Sequence, residues 1–191
     1  MIAGIVLAAG LARRMGRQKL LLTLRGTPLV RLSVERLVRH VEDLVVVTGQ
    51  DDTAIRQALE GLTVRFAQNP RPHEGQGSSI AVGVAALKPW TRAVLVALGD
   101  QPQLPDGVVD ALLAAWRRSN KPIVAPTYQG VQGTPVLFAA DVFGELAQLT
   151  GDAGARGVVN ARPERVETVR FDVPMPADVD TPEDFARLHV Q

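Results

Sequence analysis

The chain has 191 residues, of which 46% are hydrophobic and 21% are charged, and its formal net charge is +1. This length suits one globular domain, and the small net charge argues against a nucleic-acid binder that depends on a broad basic surface. The absence of cysteine excludes disulfides, cysteine-ligated zinc, iron–sulfur clusters and thiol nucleophiles. With three histidines scattered along the chain, a metal would be held by oxygen ligands.

The N-terminal segment is apolar from Met1 to Ala9, and its basic residues follow that run, which is the reverse of a secretory signal. We interpret it as a strand. Because no segment offers the roughly 20 uninterrupted apolar residues of a membrane-spanning helix, we expect a cytoplasmic protein with no membrane partner.

Short apolar runs alternate with longer amphipathic stretches, which is typical of a mostly parallel sheet covered by helices on both faces. In chain order this pattern predicts a strand at 2–7, a helix over 28–40, a strand at 44–48, a helix at 53–59, a strand at 63–67, a helix at 78–87, and a strand at 93–98. A helix over 105–118, with Pro105 in its first turn, precedes a strand at 122–126. Further strands at 136–139 and 164–171 flank a helix at 142–149, and a last helix begins near Thr181 with Pro182 in its first position. The prediction is one three-layer α/β domain over residues 1–191.

The first predicted strand runs into the segment LAAGLARRMGRQK, residues 7–19. A loop that leaves the carboxyl end of a parallel strand binds a phosphate chain when it combines close backbone approach with positive charge. Small residues supply the approach and basic residues the charge, namely Ala8, Ala9, Gly10 and Gly16, with Arg13, Arg14, Arg17 and Lys19. The segment has neither G-x-G-x-x-G nor the P-loop pattern, so it predicts a nucleoside triphosphate site of another kind; a solvated basic loop is the alternative.

Asp100 follows the apolar strand at 93–98, at the edge where open α/β sheets bind ligands. A carboxylate there suits Mg²⁺, which prefers a few oxygen ligands together with phosphate oxygens and water. A capped turn is the alternative role. The acidic segment 178–184 precedes the last helix, so helix capping is its simplest interpretation, but Asp180 or Asp178 is the best source of a second metal carboxylate.

Two further segments carry polar groups beside glycines. GQGSSI, residues 75–80, offers hydroxyls for a nucleobase or ribose, although Ser78 or Ser79 would serve equally as a helix N-cap. In TGDAGAR, residues 150–156, Asp152 is a candidate cap for the following helix, and Arg156 either binds an anionic acceptor or is solvated.

Six segments in this order, LAAGLARRMGRQK, GQGSSI, LGDQP, GTPVLF, GDAGAR and DVDTPEDF, resemble the MobA-like nucleotidyltransferases over residues 2–185. The chain is most similar to the molybdenum cofactor cytidylyltransferases. The resemblance implies a glycosyltransferase A-like fold and transfer of a nucleotidyl group, in this case CMP from CTP, to the phosphate of molybdopterin with release of pyrophosphate. Guanylyltransferases of this group commonly have a second glycine at the position of Ala9, so the resemblance favours CTP.

The resemblance also implies roles for individual residues. Base and ribose would be held by Leu7, Ala8, Ala9, Gly10, Gly77, Ser78 and Ser79, the triphosphate by Arg14 and Lys19, and Mg²⁺ by Asp100 and Asp180. The acceptor would lie near Gly133, Thr134, Pro135, Asp152 and Arg156. Relatives tend to have histidine at the position of Thr134, which puts the acceptor or its binding mode in question.

Three alternative functions remain open from the sequence. The chain could be a guanylyltransferase that uses GTP, or a nucleotidyltransferase that acts on another small phosphorylated acceptor such as a sugar phosphate, since fold alone does not identify the acceptor. A third alternative is a non-catalytic carrier or maturation partner that passes the cofactor to a molybdoenzyme.

Overall fold

A mixed β-sheet forms the centre of the molecule, in a computed structural model that describes residues 1–10, 19–50 and 52–188. The strands are β1 (Ile2–Ala8), β2 (Thr23–Leu24), β3 (Thr27–Pro28), β4 (Asp43–Thr48), β5 (Arg65–Gln68), β6 (Ala93–Leu98), β7 (Ile123–Tyr128), β8 (Val131–Gln132), β9 (Val136–Ala139) and β10 (Val166–Phe171). The helices are α1 (Leu29–Val38), α2 (Thr53–Ala58), α3 (Gln76–Ala85), α4 (Val108–Arg118), α5 (Phe143–Ala147), α6 (Arg156–Ala161) and α7 (Pro182–Arg187). Among these described residues, no helix has the length and apolar character needed to cross a bilayer.

The main sheet has the strand order β10-β7-β9-β6-β1-β4-β5, with β8 paired to β7. Strands β6, β1, β4 and β5 run parallel to one another, and β9 enters antiparallel between β6 and β7. The four parallel strands therefore present their carboxyl ends along one edge of the sheet, which is where such sheets bind ligands.

Alternating side chains of the strands divide the core into two layers. On β1, Val6 and Ala8 pack with α1, α2 and α4, whereas Ile5 and Leu7 pack on the opposite face with α3, α5 and α6. Both layers consist mainly of buried aliphatic residues, with Tyr128 in the first and Phe138 in the second. The three-layer α/β fold predicted from the sequence is confirmed.

Three predicted boundaries are wrong in a way that local chemistry explains. Helix α4 begins at Val108, and Pro105 lies outside it, because Gly107 adopts a φ of 79° and interrupts the helical path. The predicted helix at 142–149 is a 3₁₀ turn, Ala140–Val142, followed by the short α5. The predicted strand at 164–171 starts at Val166, after a 3₁₀ turn at Pro163–Arg165.

Helix α7 begins as predicted. Thr181 accepts a hydrogen bond from the backbone of Asp184, whose carboxylate in turn accepts from the backbone of Thr181, and Pro182 occupies the first turn. A third apolar cluster attaches this end of the chain to the β2–β3 hairpin through the buried side chains of Leu24, Leu29, Val179 and Leu188. Since Val179 is fully buried, the cluster also determines where the neighbouring acidic residues lie.

At the opposite edge of the sheet, Asp43 is a buried carboxylate beside Arg65. The Nε atom of Arg65 donates to Oδ1 of Asp43 at 2.9 Å, and Nζ of Lys88 lies 3.5 Å from the same oxygen. The hydrogen bond from Arg65 lowers the pKa of Asp43, against the opposing effect of burial. A depressed pKa in the folded state stabilises the fold above the unfolded pKa, and this stabilisation is lost as the pH falls through the folded value.

We expect Arg65→Met to lower the free energy of unfolding by about 1–2 kcal/mol at pH 7, because the Asp43 carboxylate then loses its hydrogen-bonded partner. Urea unfolding at pH 7 and pH 3 measures this, and the deficit should shrink at pH 3. Arg36→Met is the matched control, since the side chains of Arg36 and Arg65 are both 42% exposed but the partner of Arg36, Asp106, is 92% exposed. An equal deficit in the control, or one that persists at pH 3, contradicts this explanation.

Candidate functional site

The carboxyl ends of β1 and β6 open onto a cavity of about 360 Å³, called here the strand-end cavity. Its walls come from five separate parts of the chain, which the fold brings together at the ligand-binding edge of the sheet. The lining residues are Leu7, Ala9, Gly10, Lys19, Leu20, Pro72, His73, Gly75, Gln76, Ser79, Leu98, Asp100 and Asp152.

The strand geometry of β1 determines which of its last residues reach this cavity. Leu7, Ala9 and Gly10 line it, whereas Ala8 packs into the α1 side of the core and is only 2% exposed. Any contribution of Ala8 to a ligand therefore comes from its backbone. Residues 11–18, which include the predicted triphosphate ligand Arg14, lie outside the described residues.

Lys19 joins two carboxylates that are far apart in the sequence. Its Nζ atom donates to Oδ2 of Asp100 at 2.6 Å and to Oδ1 of Asp180 at 2.7 Å. Burial alone would lower the pKa of Lys19, but the negative charges and hydrogen bonds of Asp100 and then Asp180 outweigh it, so the pKa is raised. Lys19 is therefore a fixed positive charge at neutral pH.

The same geometry shows that Asp100 and Asp180 direct one oxygen each toward a single point. Asp100 is held on the tight turn after β6, where the N–H of Gly99 donates to the carbonyl of Leu7 at 2.9 Å. Asp180 follows Val179, whose N–H donates to the Asp100 carbonyl at 3.3 Å. Two convergent carboxylate oxygens suit a cation. Among the described residues, no group of three or more His, Cys, Asp and Glu side chains forms a ready metal site.

The serine segment is organised by Asn69, which follows β5. Its Nδ2 atom donates to the hydroxyls of Ser78 at 2.9 Å and Ser79 at 3.0 Å. Neither serine is the N-cap, because α3 begins at Gln76 with Gly75 in that position. The hydroxyl of Ser78 lies 2.8 Å from the Gly75 carbonyl within the first turn, and Ser79 lines the strand-end cavity.

Gly77 has a packing role in this structure. Its N–H donates to the Gly151 carbonyl at 2.8 Å, and a Cβ atom at Gly77 would lie 2.8 Å from the backbone of Thr150. Gly75 has a φ of 93° and approaches Gly151 just as closely. The two glycine-containing segments noted in the sequence therefore dock on each other, a contact that sequence analysis missed.

Beyond this contact lies a second cavity of about 590 Å³, called here the α6 cavity. It contains four of the five predicted acceptor residues, Gly133, Thr134, Asp152 and Arg156, whereas Pro135 is not in its wall. Asp152 does not cap α6, whose N-cap is Ala155. The two cavities adjoin, since both are lined by Leu7, Gln76, Leu98 and Asp152.

Gln101 connects the wall of the α6 cavity to the acidic segment. The hydroxyl of Thr134 donates to Oε1 of Gln101, and Nε2 of Gln101 donates to Oδ1 of Asp178 at 2.7 Å. Burial, aided by the negative charges of Asp100 and Asp180, raises the pKa of Asp178. On the other side, the hydroxyl of Tyr128 donates to the Thr134 carbonyl at 2.8 Å.

Sequence analysis missed Asn69 and Gln101 as site residues. Asn69 directly follows a strand of the parallel set, so the rule that singled out Asp100 would also have found it. Gln101 stands next to Asp100 in the sequence, but its two partners lie 33 and 77 residues away. No local pattern gives those contacts.

Comparison with known proteins agrees with this architecture. Residues 4–166 match the MobA-like NTP transferase domain. The chain is 33% identical to the nicotine blue oxidoreductase of Paenarthrobacter nicotinovorans, covering 98% of this chain and 96% of that protein. It is 32% identical to the molybdenum cofactor guanylyltransferase of Rhodobacter capsulatus, with coverage of 97% and 94%, and 24% identical to the molybdenum cofactor cytidylyltransferase of Escherichia coli, with coverage of 95% and 92%.

Solved structures show the same fold. Rv0371c from Mycobacterium tuberculosis, in its complex with manganese, has a TM-score of 0.83 at 30% identity and covers 100% of this chain and 98% of its own. A nucleotidyl transferase from Methanothermobacter thermautotrophicus has a TM-score of 0.82 at 23% identity, with coverage of 100% and 96%. The domain match, the whole-length relatives and the shared fold together establish that this chain belongs to the MobA-like NTP transferase family.

Proposed function

We propose that this protein is a molybdenum cofactor nucleotidyltransferase that transfers a nucleotidyl group from a nucleoside triphosphate to the phosphate of molybdopterin and releases pyrophosphate. The observation that carries the proposal is the convergence of Lys19, Asp100 and Asp180 beside the turn that follows β1. Two carboxylates that could hold a cation and an ammonium group on a long, flexible side chain therefore lie together at the strand-end cavity. The relatedness to a cytidylyltransferase and a guanylyltransferase of this cofactor supports the acceptor.

The residues present fit a divalent metal such as Mg²⁺. Asp100 and Asp180 already coordinate one cation, the ammonium group of Lys19, at hydrogen-bond distance. Mg²⁺ is commonly bound by one or two carboxylates with the remaining positions filled by water and substrate phosphates, so a two-carboxylate site is sufficient. When bound, the metal would neutralise the charge of the phosphates. Rv0371c has been crystallised with manganese, which is consistent with a divalent cation in this fold.

Lys19 has two roles in this scheme. In the free protein it neutralises the two carboxylates. With a divalent cation held by Asp100 and Asp180, the ammonium group of Lys19 would be free to reach the triphosphate oxygens, where Lys acts as a compact positive charge. Arg14, five residues before Lys19 in the sequence, would supply a second positive charge.

The reaction asks mainly for positioning and charge stabilisation. A phosphate oxygen of the acceptor attacks the α-phosphorus of the nucleotide, the bond to the bridging oxygen breaks, and pyrophosphate leaves with the electron pair. The attacking oxygen is already anionic, so no general base is required. Leu7, Ala9, Gly10 and Ser79 would hold the base and ribose in the strand-end cavity, and the α6 cavity would hold the acceptor, with Arg156 on its wall.

The base preference is proposed as cytosine because Ala9 stands where guanylyltransferases of this group commonly have glycine. The 32% identity to a guanylyltransferase makes GTP the direct competitor. The 33% identity to the nicotine blue oxidoreductase supports a second candidate, an oxidoreductase on the same scaffold. Both are separated from the proposal by one assay.

That assay measures pyrophosphate release from each of the four nucleoside triphosphates with Mg²⁺, with and without molybdopterin and with a panel of sugar phosphates. We expect release that depends on molybdopterin and is fastest with CTP. Release with GTP and not with the other triphosphates would identify a guanylyltransferase, and release only with a sugar phosphate would identify a different acceptor. Molybdopterin binding without pyrophosphate release would indicate a carrier. Reduction of nicotine blue without any pyrophosphate release would favour the oxidoreductase.

Asp100→Asn should lower turnover at least about 10²-fold, because it removes one of the two carboxylate charges that would hold the cation. The fold should be retained, which circular dichroism and thermal unfolding will show. Glu183→Gln is the control, since it removes one exposed negative charge from the nearby first turn of α7 and should leave turnover close to that of the unmodified protein. Unchanged turnover in Asp100→Asn overturns the metal role.

Lys19→Met should raise the KM for the triphosphate by about 10- to 100-fold, the effect of losing a hydrogen bond to a charged group, without changing which base is preferred. The same variant should bind Mn²⁺ more tightly than the unmodified protein in the absence of nucleotide, because no ammonium group competes for the carboxylates. Steady-state kinetics measures the KM, and isothermal titration calorimetry measures the Mn²⁺ affinity. Lys121→Met, on the surface at Glu167, is the control. Weaker Mn²⁺ binding in Lys19→Met would contradict the exchange of lysine for metal.

A further inference from the structure

Gln101 is a largely buried residue, 7% exposed, that lines the α6 cavity and is not used by the chemistry described above. Its amide is held at both ends. The oxygen accepts from Thr134, and the nitrogen donates to Asp178 at 2.7 Å. Because a hydroxyl can donate to Oε1 and a carboxylate can only accept from Nε2, these two partners together select one of the two amide orientations.

Both ends of this bridge, Thr134 and Asp178, line the α6 cavity, and neither is in the wall of the strand-end cavity. Asp178 is two residues before Asp180, and the residue between them, Val179, is fully buried and donates its N–H to the Asp100 carbonyl at 3.3 Å. The backbone between Asp178 and Asp180 is therefore anchored to the backbone of Asp100, whose carboxylate receives Lys19.

We propose that Gln101 is a positioning residue that couples the acceptor wall at Thr134 to the cation-binding carboxylate of Asp180. This inference rests on the proposed function. If the Thr134 hydroxyl is lost, the Gln101 oxygen has no donor, and the amide is held only at its nitrogen end. The hydrogen bond from Nε2 to Asp178 is then less firmly oriented, and the extended segment that carries Asp180 is less well fixed.

The coupling has a signature that a structural role alone does not produce. A change at Thr134, which is outside the strand-end cavity, should weaken divalent-metal binding at Asp100 and Asp180, and it should do so only while Gln101 is present. Loss of one neutral hydrogen bond corresponds to about a three- to tenfold change in an equilibrium constant.

The test is a double-mutant cycle in which Mn²⁺ alone is the probe. Electron paramagnetic resonance measures the concentration of free Mn²⁺, from which the Kd is obtained. Thr134→Val and Gln101→Met should each raise the Kd for Mn²⁺ about three- to tenfold, and the double variant should match Gln101→Met. Thr134→Ser, which keeps the hydroxyl donor, should restore the affinity. Gln132→Met, in the same cavity wall but outside the bridge, is the matched control and should bind Mn²⁺ as the unmodified protein does.

Three results would overturn the coupling: unchanged Mn²⁺ affinity in Thr134→Val, failure of Thr134→Ser to restore it, or a double variant whose loss is the product of the two single losses. Thermal unfolding of each variant separates these results from misfolding. If Thr134→Val is unstable, Gln101→Met still tests the coupling, because it breaks the bridge at its centre, and unchanged Mn²⁺ affinity in that variant overturns the inference. Pyrophosphate release by the unmodified protein is measured in parallel. Release without coupling removes only this inference, whereas coupling without release removes only the proposed activity.

Discussion

The site depends on one interaction, the ammonium group of Lys19 between the carboxylates of Asp100 and Asp180. These residues are separated by 81 and 161 positions in the chain, so the contact forms only after the sheet and the C-terminal helix are both in place. Asp100 and Asp180 would repel each other without a cation between them, and the three partly buried groups satisfy one another in its presence. A site that already holds a monovalent cation between two carboxylates has the charge and the geometry to exchange it for a divalent one.

Segments that pack at the carboxyl-terminal edge of the sheet bring these three residues together. The β2–β3 hairpin and α7 share an apolar cluster, and its fully buried member Val179 brings the acidic segment against the turn after β6. On the other side, Gly75 and Gly77 let the start of α3 touch the backbone at Thr150 and Gly151, which forms the boundary between the two cavities. Substitution of either glycine by a residue with a Cβ atom would push these segments apart, so the division into two adjoining cavities depends on two positions without a side chain.

Much of the fold follows from local sequence. Strands β1 and β6 are continuous apolar runs that can only be buried on both faces, and Thr181-Pro182 with Asp184 is a complete capping sequence, so these elements were predicted with the correct type and position. The start of α4 was predicted wrongly because proline tolerates the first turn of a helix, and nothing in the sequence distinguishes that use from the turn that Gly107 creates.

For the candidate site, the sequence predicted those residues whose location depends only on where a strand ends. Asp100 and the turn after β1 lie together because both follow strands of one parallel set, and parallel strands end on the same edge. A metal-binding role for Asp180 is harder to predict, because helix capping already accounts for the acidic residues around it. Its contact with Lys19 depends on how α7 packs. The hydrogen bonds from Thr134 to Gln101 and from Gln101 to Asp178 could not be predicted from the sequence, because each joins segments that are distant in the chain.

The relatives of this chain suggest that its two cavities differ in how freely their lining residues can change. Proteins named as a cytidylyltransferase, a guanylyltransferase and an oxidoreductase all align with this chain over nearly its whole length, so the shared scaffold does not by itself select one reaction. The strand-end cavity is built from backbone turns and lies beside the Lys19–Asp100–Asp180 cluster, which in the proposed function would bind the phosphate groups common to all nucleoside triphosphates. The α6 cavity is built from side chains on short loops and on α6, which can change without disturbing the sheet. Differences in acceptor among such proteins should therefore arise in the α6 cavity, and a residue such as Gln101, which contacts that wall and the acidic segment at once, limits how far the acceptor side can change while metal binding is retained.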